Sequence, residues 1–185
     1  MTYEVEKKFP VNDLQSLEAT LLGMGASPFI EEVEIDVYFE HPSRDFIQTD
    51  EAIRIRRVND EHRITYKGPR IDRTTKTRRE IELPLGAGQD VGQSWAELLT
   101  SLGFSPVEPI VRKTRRLSTL TWKERELTLA LDNVEGLGTY VEIELVVEES
   151  ELETAKSLVG SLADQLGLKE TETRSYLGLL CEKGL

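Results

Sequence analysis

The 185 residues carry 34 aspartates and glutamates against 23 lysines and arginines, a formal net charge of −11. That length supports one domain with a sizeable core and is short for two, and the acidic balance argues against a nucleic-acid binder or a membrane-surface protein held by phosphate contacts. Cys181 is the only cysteine and His41 and His62 the only histidines, so neither an intrachain disulfide nor a Cys/His zinc site is expected.

No apolar run is long enough for a membrane span, and the N-terminus lacks the charged-then-apolar pattern of a signal peptide. The expectation is a soluble, cytoplasmic, single domain over 1–185. In chain order, period-two alternation predicts strands at 2–9, 30–40, 51–58, 62–67, 76–83, 110–120, 127–134 and 139–148. Asn12 or Asp13 caps a helix carrying Leu14, Leu17 and Leu21, which stops near Gly23 and Gly25. A second helix runs from about Asp90 through Trp95, Leu98, Leu99 and Leu102 to Gly103. Ser150 and Glu153 read as a capping box before the stripe Leu152, Ala155, Leu158, Leu162 and Leu166. A short last helix holds Tyr176, Leu177, Leu179 and Leu180.

The charged residues of these strands fall in phase. Glu4, Glu6 and Lys8 share one face, as do Glu142 and Glu144, because side chains two apart in a strand project to the same side. Arg54 and Arg56 alternate with Ile53 and Ile55; Arg78, Glu80 and Glu82 alternate with Ile81 and Leu83; Lys113 and Arg115 sit two apart; Asp132 lies in phase with Thr128 and Ala130. For a single strand the ordinary reading is a solvated exterior. Repeated across the chain, the pattern fits a curled sheet whose apolar face is covered by helices while its ionic faces converge. Carboxylate pairs invite a hard divalent cation, and a surplus of Arg and Lys in a confined interior calls for an anion. A metal-bound polyphosphate satisfies both. There is no Gly-rich phosphate loop, so side chains would do the gripping.

The run Glu4-Val5-Glu6-Lys7-Lys8 resembles the ExExK signature of the CYTH superfamily, the triphosphate tunnel metalloenzymes. The likeness continues through Asp36-Val37-Tyr38-Phe39, Ala52-Ile53-Arg54-Ile55-Arg56, Thr65-Tyr66-Lys67-Gly68-Pro69, Arg78-Arg79-Glu80-Ile81-Glu82, Lys113-Thr114-Arg115, Leu131-Asp132-Asn133-Val134, Glu142-Ile143-Glu144 and Ser175-Tyr176-Leu177. The stretch from His41 to Phe46 with Thr49-Asp50-Glu51-Ala52 further resembles the class IV adenylate cyclase subgroup. The resemblance implies an α+β fold: a closed or nearly closed antiparallel β-barrel of about eight strands, with a polar-lined tunnel and helices outside. It implies Mg²⁺ or Mn²⁺ on Glu4, Glu6, Glu142 and Glu144 with Asp132 near a second metal position, and phosphates gripped by Lys8, Arg54, Arg56, Lys67, Lys113 and Arg115, with Arg78 in phase. Glu80 and Glu82 would support the site, and Asp132, Lys8 and Arg115 are the candidate catalytic groups.

Plainer roles stand beside these. Arg54 and Arg56 could pair across strands with Glu80 and Glu82, and Asp132 could be a turn residue. Lys7, Arg57, Arg79, Arg112 and Arg116, out of phase, should reach solvent; Tyr176 should be packing, with its hydroxyl near the site; His41 should shape a loop and Cys181 should lie in the core. The implied activity is conversion of ATP to cyclic AMP and pyrophosphate, with inorganic or thiamine triphosphate hydrolysis as the alternative and a non-catalytic polyphosphate-binding module as a rival of another class. The expected partner is ATP or another triphosphate, not nucleic acid or membrane, and a homodimer is compatible with the subgroup.

Overall fold

A computed structural model describes residues 2–71 and 76–184. Eight strands form one antiparallel sheet: β1 (Thr2–Pro10), β2 (Ile30–Glu40), β3 (Ala52–Val58), β4 (Glu61–Lys67), β5 (Glu80–Ala87), β6 (Ser105–Trp122), β7 (Arg125–Val134) and β8 (Gly138–Glu148), in the order β1-β8-β7-β6-β2-β3-β4-β5. The helices are α1 (Leu14–Gly23), α2 (Phe46–Thr49), α3 (Gln89–Ser101), α4 (Leu152–Gln165) and α5 (Tyr176–Lys183).

Alternation sorts the strands' side chains into two environments. Val5, Phe9, Leu129, Leu131, Val141, Ile143 and Leu145 point to the convex face. There they pack under α1 and α4 with Leu17, Leu21, Leu158, Val159 and Leu162. Each such side chain withdrawn from water contributes about 1.5–3 kcal/mol, which is what bends the sheet around its charged concave face. Phe39 and Ile55 do the same under α3 with Leu99. α5 is placed differently: Tyr176, Leu179 and Leu180 pack on Val111 and Val134, which share the phase of Lys113 and Asp132. This helix therefore closes over one end of the inner face.

Several expectations need correction. The sheet curls toward closure without a continuous seam: among the described residues β1 and β5 share no ladder, and the two edges meet through an isolated Glu4–Arg78 bridge and through Lys76 N–H donating to the Glu6 carbonyl at 3.0 Å. For the same reason the strand expected over 76–83 begins only at Glu80, since the backbone before it turns to pair with β1. As the sheet's edge strand, β5 also accommodates Pro84. β6 starts earlier than expected, at Ser105, and α2 has too few residues to show periodicity. Asp13, one of the two proposed caps, accepts from Ser16 N–H, and Ser175 caps α5. The Ser150–Glu153 capping box does not form, because residues 149–151 make a 3₁₀ turn and α4 starts after Glu151 with no side-chain cap. Cys181 is exposed rather than in the core, because the apolar face of α5 is spent on Tyr176, Leu179 and Leu180.

Candidate active site

The concave face encloses a cavity of about 370 Å³. Register assembles its acidic wall: β1 lies against β8 with Glu6 opposite Glu144 and Lys8 opposite Glu142. One carboxylate oxygen from each of Glu4, Glu6 and Glu144 falls within 4.8 Å of the others. Burial, and then the neighbouring Glu4, push the Glu144 carboxyl well above the usual carboxylate range. Burial also raises Glu4, with Lys67 opposing it. Carboxylate oxygens crowded together, two of them with raised pKa, are a fitting donor set for a divalent cation, whose charge would relieve the repulsion.

Glu142, expected as a fourth metal ligand, does not join this trio. Its carboxylate pairs with Arg115, and although burial alone would raise it, Arg115 followed by Lys76 and Lys113 holds it well below the normal range. Asp132 also lies elsewhere. It is fully buried behind the cavity wall, where its oxygens accept from Arg115 Nε at 2.7 Å, Arg115 Nη2 at 2.6 Å and the Tyr176 hydroxyl at 2.7 Å. Its oxygens are taken by Arg115 and Tyr176, and it sits within the Arg125–Val134 strand rather than in a turn.

The basic wall is built the same way, most of its cations held by carboxylates and Lys8 and Arg78 by backbone carbonyls. Arg56 donates to Asp36 at 2.7 and 2.8 Å and lies 3.0 Å from Glu34; Arg54 reaches Asp36 at 3.3 Å; Lys113 meets Glu34 at 2.8 Å. Arg54 and Arg56 thus pair with β2, their neighbour in the sheet, and not with Glu80 and Glu82. Lys67 bridges Glu80 at 2.6 Å and Glu4 at 3.5 Å. Glu82 is occupied by Arg63 and Thr65 at the cavity margin, and Arg78 donates to the Asp50 carbonyl at 3.3 Å. Lys8 stands 3.9 Å above the Tyr176 ring and donates to the Arg174 carbonyl at 2.6 Å. Burial, then Lys76, push its ammonium down to about 7.

Three contributors are absent from the site residues expected from the sequence. Lys76 lines the cavity and donates to Glu6 at 2.7 Å. It continues the two-residue step of Arg78, Glu80 and Glu82, a signal that was present. Glu34 and Asp36, 2% exposed each, supply the buried counter-charges; being in phase with Tyr38, they too were findable. The residues expected to reach solvent divide. Arg57, Arg79 and Arg112 are exposed, whereas Arg116 pairs with Glu18 of α1 and Lys7 is half-buried. His41 shapes its loop, its Nδ1 accepting from the backbone of Ser43 and Arg44 at 3.1 Å each.

Eight cations (Lys8, Arg54, Arg56, Lys67, Lys76, Arg78, Lys113 and Arg115) and six carboxylates (Glu4, Glu6, Glu80, Glu82, Glu142 and Glu144) line this one cavity. A curled antiparallel sheet with such a lining is chemically suited to a compact polyanion bound beside a cation. The CYTH domain model matches residues 2–176, and the chain belongs to that family, whose members are divalent-metal-dependent enzymes acting on triphosphates. A Methanocaldococcus jannaschii protein named "putative adenylate cyclase" is 36% identical over 146 residues, which are 79% of this chain and 78% of that protein. The solved PH1819 protein of Pyrococcus horikoshii is 42% identical, with a TM-score of 0.83 over 97% of this chain and 99% of that one. A Hippeastrum protein, named a "putative adenylyl cyclase" and described as having a dominant triphosphatase activity, shares the fold at 22% identity, with a TM-score of 0.65 over 100% of this chain and 96% of that one. No helix among the described residues is long and apolar enough to cross a membrane.

Proposed function

We propose that this chain is a metal-dependent enzyme that binds the triphosphate group of ATP in the cavity and forms cyclic AMP with release of pyrophosphate. The observation that carries the triphosphate reading is the meeting, in one cavity, of the Glu4–Glu6–Glu144 trio with basic side chains from β1, β3, β4 and β6 and from the segment before β5. An anion-binding module gains nothing from carboxylates packed beside its ligand. Mg²⁺ or Mn²⁺ held by the trio would supply charge neutralisation at the phosphate oxygens. Arg54, Arg56, Lys113 and Arg115 are held in place by Asp36, Glu34, Asp132 and Glu142 before any ligand arrives, so little reorganisation opposes binding. Burial and Lys76 lower the Lys8 ammonium to about 7, and an anion beside it would favour its charged form.

In the cyclase reaction the ribose 3′-oxygen bonds to the α-phosphorus, its proton passes to solvent, and the bond to the β-phosphate oxygen breaks. The subgroup motif from His41 to Ala52 and the naming of the Methanocaldococcus relative support this reading. Hydrolysis of the terminal phosphate is the second reading. It is favoured by the scarcity of uncharged surface for a base, since Tyr3, Tyr38, Val146 and Tyr176 are the large uncharged side chains of the lining, and by the activity described for the Hippeastrum protein. Chromatography of ATP and of tripolyphosphate incubated with the protein and Mn²⁺, with and without chelator, decides between them. Cyclic AMP with pyrophosphate identifies the cyclase; ADP with phosphate, or cleaved tripolyphosphate, identifies the hydrolase. Absence of metal-dependent turnover of either compound refutes an enzymatic role.

A further inference from the structure

A second constellation lies outside this cavity, on the convex face. Arg112, Ile35, Arg57 and His62 stand in one row across β6, β2, β3 and β4, because Ile35 is the register partner of both arginines and Arg57 is the partner of His62. Register partners project to the same side, here opposite to Lys113, Asp36 and Arg56. Strands are about 4.8 Å apart, so the two arginine backbones flank Ile35 at about 10 Å, a span their long side chains can close on one small anion. α3 passes over the row with Gln89, Gly92, Gln93 and Ala96, its i, i+3, i+4, i+7 face. A cavity of about 280 Å³ remains between helix and sheet.

Two observations set this cavity apart from a packing void. His62 is only 5% exposed, lines the cavity, and leaves its Nδ1 without a hydrogen-bond partner. A buried, unsatisfied ring nitrogen costs about 1–3 kcal/mol unless something supplies the bond. The other edge of the ring is pressed to α3, where a Cβ on Gly92 would stand 2.7 Å from Cδ2 and Nε2. In addition, Arg57 and Arg112 are exposed, and no carboxylate among the described residues pairs with either. A chain with net charge −11 has acidic groups to spare, yet none is set against these two. The floor beneath them, Ile35, Val37 and Ile55, is apolar.

We propose that this is a second ligand site, separate from the triphosphate cavity, which takes a small organic anion. A phosphate or carboxylate sits between Arg57 and Arg112, and an apolar or aromatic body lies on Ile35, Val37 and Ile55 beside His62. Bidentate guanidinium geometry suits either anion. The size of the cavity limits the ligand to a compact molecule at the lower end of ordinary small-molecule sites.

With two histidines in the chain, the imidazole resonances of ¹⁵N-histidine-labelled protein report His62 separately from His41. Phenyl phosphate and benzoate, titrated in separate arms, are the probes. The expected result is a saturable shift of His62 with at least one of them, the tighter arm identifying phosphate or carboxylate as the preferred anion. The double substitution Arg57→Gln/Arg112→Gln should weaken that binding at least tenfold while thermal unfolding stays unchanged, because both side chains are exposed. An unmoved His62 with both probes, or wild-type affinity in the double variant, would overturn the proposal.

Discussion

Replacing Glu144 with Gln should make the metal-free protein more stable while removing its response to metal. At an effective dielectric near 20, two carboxylate oxygens 4.8 Å apart repel by about 3.5 kcal/mol, and Glu144 faces two such neighbours in Glu4 and Glu6. Arg115 Nη1, 3.9 Å away, returns about 4 kcal/mol, leaving roughly 3 kcal/mol against the ionised form. Burial, and then the neighbouring Glu4, raise the Glu144 carboxyl, the same sign as this repulsion. A group raised in the folded state destabilises it above the unfolded pKa, so the cost is present at pH 7 and fades as pH falls toward the unfolded value of 4.5. A neutral amide at this position carries no such cost. In chelator at pH 7, Glu144→Gln should therefore gain up to about 3 kcal/mol, several degrees of melting temperature for a chain of this size. A cation at 100 times its Kd should stabilise the wild type by about 2.7 kcal/mol and leave the variant nearly unmoved. Differential scanning calorimetry with and without Mg²⁺ and Mn²⁺ measures both. A variant that is less stable than wild type in chelator, or that keeps the full metal shift, refutes the trio as the metal site.

Three further outcomes are expected. Asp132→Ala strands the buried Arg115 guanidinium with fewer partners and should cost about 3–5 kcal/mol in urea unfolding, whereas Tyr176→Phe, which removes one hydrogen bond to Asp132, should cost about 1 kcal/mol. Although burial would raise the Glu34 carboxyl, Lys113, Arg115 and Arg56 hold it down to about 2. Its contribution is present above the unfolded pKa of 4.5 and should be lost as pH falls through 2, on the order of 3 kcal/mol by linkage; acid titration of Glu34→Gln should lack that component. Lys76→Gln should lower kcat/KM for a triphosphate at least tenfold with the metal-induced melting shift retained, and turnover at the wild-type level would remove Lys76 from the site.

The elements that were legible in the sequence were those with long, uninterrupted periods. β1, β2, β7 and β8 read correctly because each keeps a two-residue alternation between a helix-covered face and a charged one. The residues around 76–79 kept the same alternation while their backbone left the strand to bridge β1, and period alone does not report which neighbour a segment pairs with. Within the site, phase identified which side chains face inward but not their partners. Glu142 and Glu144 are two apart on one strand and look equivalent in sequence, yet one is claimed by Arg115 and the other joins the trio. That difference depends on which side chains lie across the curl. Glu34 belongs to no motif, and Asp36, although part of a family-like stretch, gives no sign in the sequence that it is the counter-charge of Arg54 and Arg56.

The pairing of β1 with β8 has a consequence for how the molecule is made. Glu6 meets Glu144 only when β1 docks on β8, the two strands of the sheet farthest apart in sequence. Such non-local pairing carries the loop-closure entropy of nearly the whole sequence and is slow to form. β1 therefore waits with its carboxylates and Lys8 still in water until β8 has been made, and the corner that gathers Glu4, Glu6 and Glu144 cannot form before then. Nascent chains released short of β8 would bring Arg54, Arg56, Lys113 and Arg115 into place with Asp36, Glu34 and Asp132 but without the Glu142 that pairs with Arg115.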